Sequence, residues 1–149
     1  MPRQRRNDPH EMSAEDYRWT IRPPSEAEFT RMVMNEAQAR NWSAYHTHDS
    51  RRSPAGFPDL VLANPNHAHG QGAVYAELKM PGNYSTPAQR VWLTTLLHCG
   101  HRVYLWYPSD FKSIIAVLDG ELLPGYETIA EKRRKRYTDG SPMATKRSR

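Results

Sequence analysis

At 149 residues with a net charge of +5, the chain has material for one domain with a modest core and little left for a second. Its one cysteine, Cys99, excludes an intrachain disulfide and a cysteine-built zinc knuckle and suits a reducing compartment. No apolar run nears the roughly 20 residues of a membrane span, and the Arg-rich opening runs into polar sequence instead of a signal-peptide apolar core, so an intracellular setting away from membranes is expected.

The charge is unevenly placed. Residues 131–149 carry eight Lys and Arg against two acids, residues 1–24 five against four, and the remainder eight against ten. A basic tail beside a slightly acidic core suits a protein that holds phosphate electrostatically and gathers carboxylates at a metal site. A solvated tail with no partner is the plainer alternative.

Residues 1–24 are polar, include Pro2, Pro9, Pro23 and Pro24, and read as a flexible basic and polar arm. The folded unit is expected over 25–120 and a basic C-terminal tail over 121–149. The spacing predicts a helix over 25–42, with Ser25 as N-cap, acids in the first turn, and Phe29, Val33 and Ala37 along one face. A short strand at 43–48 runs into a loop of turn formers. Residues 57–63 and 73–79 are strand-like and flank an Asn/Pro/Gly-rich turn, so they should pair antiparallel. A second helix is predicted over 86–98: Thr86 caps it, Pro87 sits in its first turn, Trp92, Leu93, Leu96 and Leu97 form a stripe, and Gly100 stops it. Residues 102–107 form a buried strand between Gly100 and Pro108, and 111–118 a short closing helix. A helix between the last two strands favours a parallel crossover, giving an α/β fold with a mixed central sheet flanked by helices.

Asp59 opens one of these strands, and Glu77 and Lys79 lie on the next. Side chains alternate along a strand, so Glu77 and Lys79 project together while Leu78 points into apolar packing. If the two strands pair, Asp59 comes alongside. Two carboxylates and an ammonium would then share a small volume. Magnesium binds through one or two carboxylates plus water and phosphate oxygens, so Asp59 and Glu77 suffice as protein ligands; Lys79 would orient the attacking water. For an isolated E-x-K the ordinary reading is a cross-strand ion pair. Context argues otherwise: Gly56, Phe57 and Pro58 set Asp59 at a strand entrance, Pro81 and Gly82 end the second strand, and a capped helix follows.

GFPDLVL, then AELK, then STPAQRVWLTTLLHCGHRVYLWYP resembles the virus-type replication-repair nuclease (VRR-NUC) domain, a branch of the PD-(D/E)XK nuclease superfamily. Pro58 and Asp59 match the PD, and Glu77, Leu78 and Lys79 the E-x-K. The resemblance spans about residues 25–118, including the SEAEF helix and the YHTHDSRRS loop. It implies a restriction-endonuclease-like α/β core and a nuclease dependent on Mg2+, with Mn2+ able to substitute and no small-molecule cofactor. For small phage and bacterial members it also implies homodimers acting on branched DNA, and so the cytoplasm of a bacterium or of a phage-infected host.

The resemblance further implies a glutamate on the first helix and a glutamine on the second. Helical geometry favours Glu26 over Glu28 as the third metal-site acid, since Glu26 lies over the Phe29 and Val33 face; both also suit the helix dipole with no further role. Gln89 faces the sheet, where it would support the site, and also completes a capping-box pattern with Thr86. Arg51 and Arg52, in the loop before Asp59, are candidate phosphate contacts. Lys132, Arg133, Arg134, Lys135 and Arg136 would add nonspecific DNA affinity. The His46/His48 and His67/His69 pairs lack the further ligands of a zinc site. Trp92, Tyr104 and Trp106 fall in periodic apolar segments and read as core. The reading is therefore a nuclease cutting DNA in replication, recombination or repair. The rivals are a catalytically silent nucleic-acid-binding module and an accessory subunit.

Overall fold

A computed structural model of the chain describes residues 22–48 and 50–132. The first helix, α1 (Glu26–Ala39), begins where Ser25 and Glu28 satisfy each other's backbone: the Glu28 N–H donates to the Ser25 hydroxyl (3.2 Å) and the Ser25 N–H to the Glu28 carboxylate (2.8 Å). It stops three residues short of the expected boundary because Asn41 turns left-handed (φ 62°), which lets the Trp42 N–H return to the Ala37 carbonyl at 3.0 Å.

Four strands follow: β1 (Ser43–His46), β2 (Leu60–Ala63), β3 (Val74–Leu78) and β4 (Arg102–Trp106), with α2 (Pro87–His98) between β3 and β4 and α3 (Phe111–Leu118) after β4. In the sheet they stand in chain order, antiparallel from β1 to β3 and parallel between β3 and β4. This is the mixed sheet of an α/β fold flanked by helices, with the expected hairpin and crossover. β2 starts at Leu60 and not at Phe57, because Pro58 has no N–H to offer the ladder and Asp59 uses its side chain instead.

The register divides the sheet into two faces. Leu60, Leu62, Val74, Ala76, Leu78, Tyr104 and Trp106 share one and pack with Phe29, Val33 and Ala37 of α1 and Phe111, Ile114, Val117 and Leu118 of α3. Removing a ring such as Phe29 from this core would cost about 3–5 kcal/mol. Tyr45, Val61, Tyr75 and Glu77 belong to the other face, which α2 covers over β3 and β4. Trp92, on α2, is only half-buried and meets Phe57 edge to face, with centroids 5.1 Å apart.

The chain beyond α3 is packed over its described part. The Tyr126 N–H donates to the Val103 carbonyl (2.7 Å) and the Tyr104 hydroxyl to the Leu123 carbonyl (3.0 Å), so the segment expected to begin the tail serves the outer edge of β4. Thr128 and Glu131 then cap a further helical turn. At the other end of β4, Arg102 is buried, with its Nη2 donating to the His67 carbonyl (2.6 Å) and its guanidinium 5.7 Å from the Trp42 ring centre. No helix among the described residues is long and apolar enough to cross a membrane.

Candidate active site

Asp59 precedes β2 directly, and the β2–β3 register sets it beside the end of β3. There its Oδ2 accepts the Leu78 N–H at 2.8 Å, which fixes the carboxylate against the strand that carries Glu77. One residue before Leu78, Glu77 points to the opposite face from it, as alternation requires. The separation is complete: Leu78 lies in the core cluster, while Glu77 turns toward α2.

Glu77 is only 2% exposed. Its Oε1 accepts a 2.6 Å hydrogen bond from Gln89 Nε2 and lies 3.7 Å from the Lys79 ammonium. Its Oε2 is buried with no hydrogen-bond partner. Burial, and after it the negative charge of Asp59, push the Glu77 carboxyl up to about 8 against the opposing pull of Lys79. Lys79 stands one residue past β3, where its N–H donates to the Trp106 carbonyl at 2.9 Å and so prolongs the parallel ladder. That extra rung places the ammonium on the Glu77 side.

Gln89 closes the helix cap and also faces Glu77. Its Oε1 accepts the Thr86 N–H (2.8 Å) while its own N–H donates to the Thr86 hydroxyl (3.2 Å), closing a capping box at the start of α2. With Oε1 held by the cap, Nε2 is left to face Glu77. Gly56 allows the approach that makes this possible. At φ +92° it lies so close to α2 that an added Cβ would sit 2.4 Å from the Ala88 carbonyl carbon and 2.7 Å from the Gln89 nitrogen. In the sequence Gly56 marks a strand entrance, and a glycine ahead of Phe-Pro-Asp is also the available signal for a close backbone contact.

The structure therefore brings Asp59, Glu77, Lys79 and Gln89 together. It does not join Glu26 to them. That side chain is exposed, and its carboxylate makes no hydrogen bond or ion pair among the described residues. The reason lies in the layers, since α1 packs on the face that carries Leu78 and Glu77 points from the other. Glu28 is occupied by the Ser25 cap. Arg51 and Arg52 form a short exposed turn between β1 and Asp59. Lys132 is exposed at the last described position, and Arg133, Arg134, Lys135 and Arg136 lie outside the described residues. The histidine pairs are engaged locally: His46 meets His48 edge to face at 4.8 Å, His67 stacks on Trp42, and His69 Nε2 bonds to the Gly120 carbonyl at 2.8 Å.

Among the described residues no group of three or more His, Cys, Asp or Glu gathers as a metal cluster. Asp59 and Glu77 form a two-carboxylate site, which fits a small hard cation that completes its shell with water and phosphate oxygens. The orphaned Oε2 of Glu77 and the crowding that holds its proton are the features such a cation would relieve.

A family model described as the VRR-NUC domain matches residues 11–109. A solved structure titled "VRR_NUC domain protein" is similar at 21% identity and a TM-score of 0.47, with 63% of this chain and 90% of that chain covered. No curated protein matches the chain.

Proposed function

We propose that this chain, which belongs to the VRR-NUC domain family, is a divalent-metal-dependent nuclease that hydrolyses DNA phosphodiester bonds, with branched DNA as its preferred substrate. The family implies a nuclease-type function, and the finer reading rests on one observation: a buried Glu77, crowded by Asp59 and flanked by the Lys79 ammonium at 3.7 Å. An ion pair built only for stability would leave neither an orphaned carboxylate oxygen nor a second carboxylate pressed against the first.

Asp59 and Glu77 would hold the metal, Mg2+ or Mn2+, which when bound supplies Lewis-acid polarisation of the phosphate and an activated water. Lys79 orients that water and offsets negative charge developing on the phosphate. Gln89 keeps the Glu77 carboxylate in one orientation through its 2.6 Å bond. Glu26 joins the set only if the first turn of α1 reaches around the sheet, and Glu26→Gln reads this directly. Arg51, Arg52 and the basic residues from Lys132 to Arg136 would hold flanking phosphates. A homodimer would suit a branched substrate with two equivalent arms, and sedimentation at several concentrations reads the association state.

The test incubates end-labelled four-way junction, flap and linear duplex DNA with wild type and Lys79→Ala, in Mg2+ and in EDTA. Cleavage should require the metal and fall at least about a hundredfold in Lys79→Ala, with the junction or flap cut faster than the duplex. If every DNA is bound and none is cut with any divalent metal, the chain is a binding module and not an enzyme.

A further inference from the structure

On the face of the sheet that carries Glu77, α2 covers β3 and β4, while among the described residues Tyr45 of β1 stays exposed. The register places Tyr45 of β1 beside Val61 of β2, and Val61 beside Tyr75 of β3, two residues before Glu77. Tyr45 thus shares the Glu77 face, two strands or about 10 Å across the sheet from Tyr75, and its side chain is 61% exposed. Between Tyr45, the Gly56–Phe57 turn and Trp92 of α2 lies a pocket of about 270 Å³. Three of its seven lining residues are aromatic, Tyr45, Phe57 and Trp92, with Phe57 and Trp92 fixed edge to face at 5.1 Å.

This pocket is built from the segments that build the carboxylate site. Thr47, which lines it, donates its N–H to the Asp59 carbonyl at 3.0 Å. Phe57 is two residues ahead of Asp59, and Gly56 is wedged against the backbone of Gln89. A polynucleotide strand with a phosphate at Asp59 and Glu77 would carry its neighbouring base past the pocket mouth, which Ser53 and Pro54 line directly after the Arg51 and Arg52 turn. A base inside a duplex shows only its edges to such a wall. An unpaired one offers its face, and stacking on an aromatic side chain rewards it whatever its sequence.

We propose that this pocket receives an unpaired base of the DNA strand being cut, next to the scissile phosphate, and so makes the enzyme select flaps over continuous duplex. The proposal rests on the nuclease reading for its substrate, but its binding test does not require cleavage.

The experiment places 2-aminopurine, a fluorescent base quenched by stacking, at the unpaired nucleotide of a flap and separately at the matching paired position of a duplex. Wild type, Tyr45→Ala and Tyr45→Phe are titrated onto each without divalent metal, and the unlabelled DNAs are then cut in Mg2+. The surface position of Tyr45 makes all three proteins foldable, which circular dichroism verifies. Quenching is expected with wild type and Tyr45→Phe on the flap alone, and to be lost with Tyr45→Ala. Flap KM should rise about tenfold in Tyr45→Ala, with duplex cleavage unchanged. Quenching by wild type without any cleavage would uphold the pocket and sink the nuclease reading. Cleavage that depends on Lys79 but not on Tyr45, or equal losses on flap and duplex, would overturn the pocket and leave the nuclease standing.

Discussion

Glu77 gives the metal-free protein a pH signature of its own. In the unfolded chain its carboxyl titrates near the ordinary 4.5, and in the folded, metal-free protein near 8. Between those values the native state holds a proton that the unfolded state has released, so stability falls as pH rises through this window and levels off above it. Thermal midpoints of metal-free wild type should therefore decline from pH 5 to pH 9 relative to Glu77→Gln, which carries no titrating group there. Parallel profiles for the two proteins would mean that Glu77 is ionised in the native state throughout. Period-two alternation sufficed to place Glu77 and Lys79 on one face and Leu78 on the other. Sequence could not show that Leu78 also donates its N–H to Asp59, because that contact depends on strand register. Nor could it place Glu26, whose helical face was legible but whose side of the sheet was not.

At the scale of elements, the start of α2 combines a helix cap with a hydrogen bond to Glu77, and the two can be separated. Thr86→Ala removes a hydroxyl that accepts the Gln89 N–H, yet leaves the Thr86 N–H to hold the Gln89 amide. It should cost about 1 kcal/mol of stability with near-normal cleavage. Gln89→Ala removes its half of the cap and also frees Glu77, so a comparable shift in urea midpoint should come with a marked fall in kcat. Equal activities in the two variants would reduce Gln89 to a capping residue. Gly56→Ala should be the most damaging of the three: both the positive φ and the 2.4 Å approach to Ala88 oppose a methyl group, costing about 1–3 kcal/mol or more and displacing α2 from Glu77. The caps of both helices were readable as local motifs, Ser25 with Glu28 and Thr86 with Gln89. The docking of Tyr126 and Leu123 on β4 was not, since it follows from an edge strand needing partners and leaves no periodic trace in residues 121–128.

For the whole molecule, the β2–β3 hairpin and the helical crossover from β3 to β4 were legible because each connection allows little else, a turn and a capped helix, whereas the pairing of β1 with β2 was not, since a loop of turn formers leaves the partner of β1 open. What topology leaves open is how, on the proposed function, the chain would hold a polyanion around a site whose own carboxylates repel it. The charge distribution offers an answer, since residues 133–149 contain seven Lys and Arg and one acid, while residues 25–130 carry a net negative charge. If these cations release counterions from DNA, each phosphate neutralised adds about −0.9 to the slope of log K against log salt. A chain ending at Lys132 should bind DNA more weakly at low salt and show a slope shallower by several units. Its kcat at saturating DNA should stay unchanged, because Asp59, Glu77, Lys79 and Gln89 are all retained. A slope unaltered by the truncation would move the phosphate grip to Arg51, Arg52 and the folded surface. A loss of kcat at saturation would instead mean that the basic segment acts at the site itself.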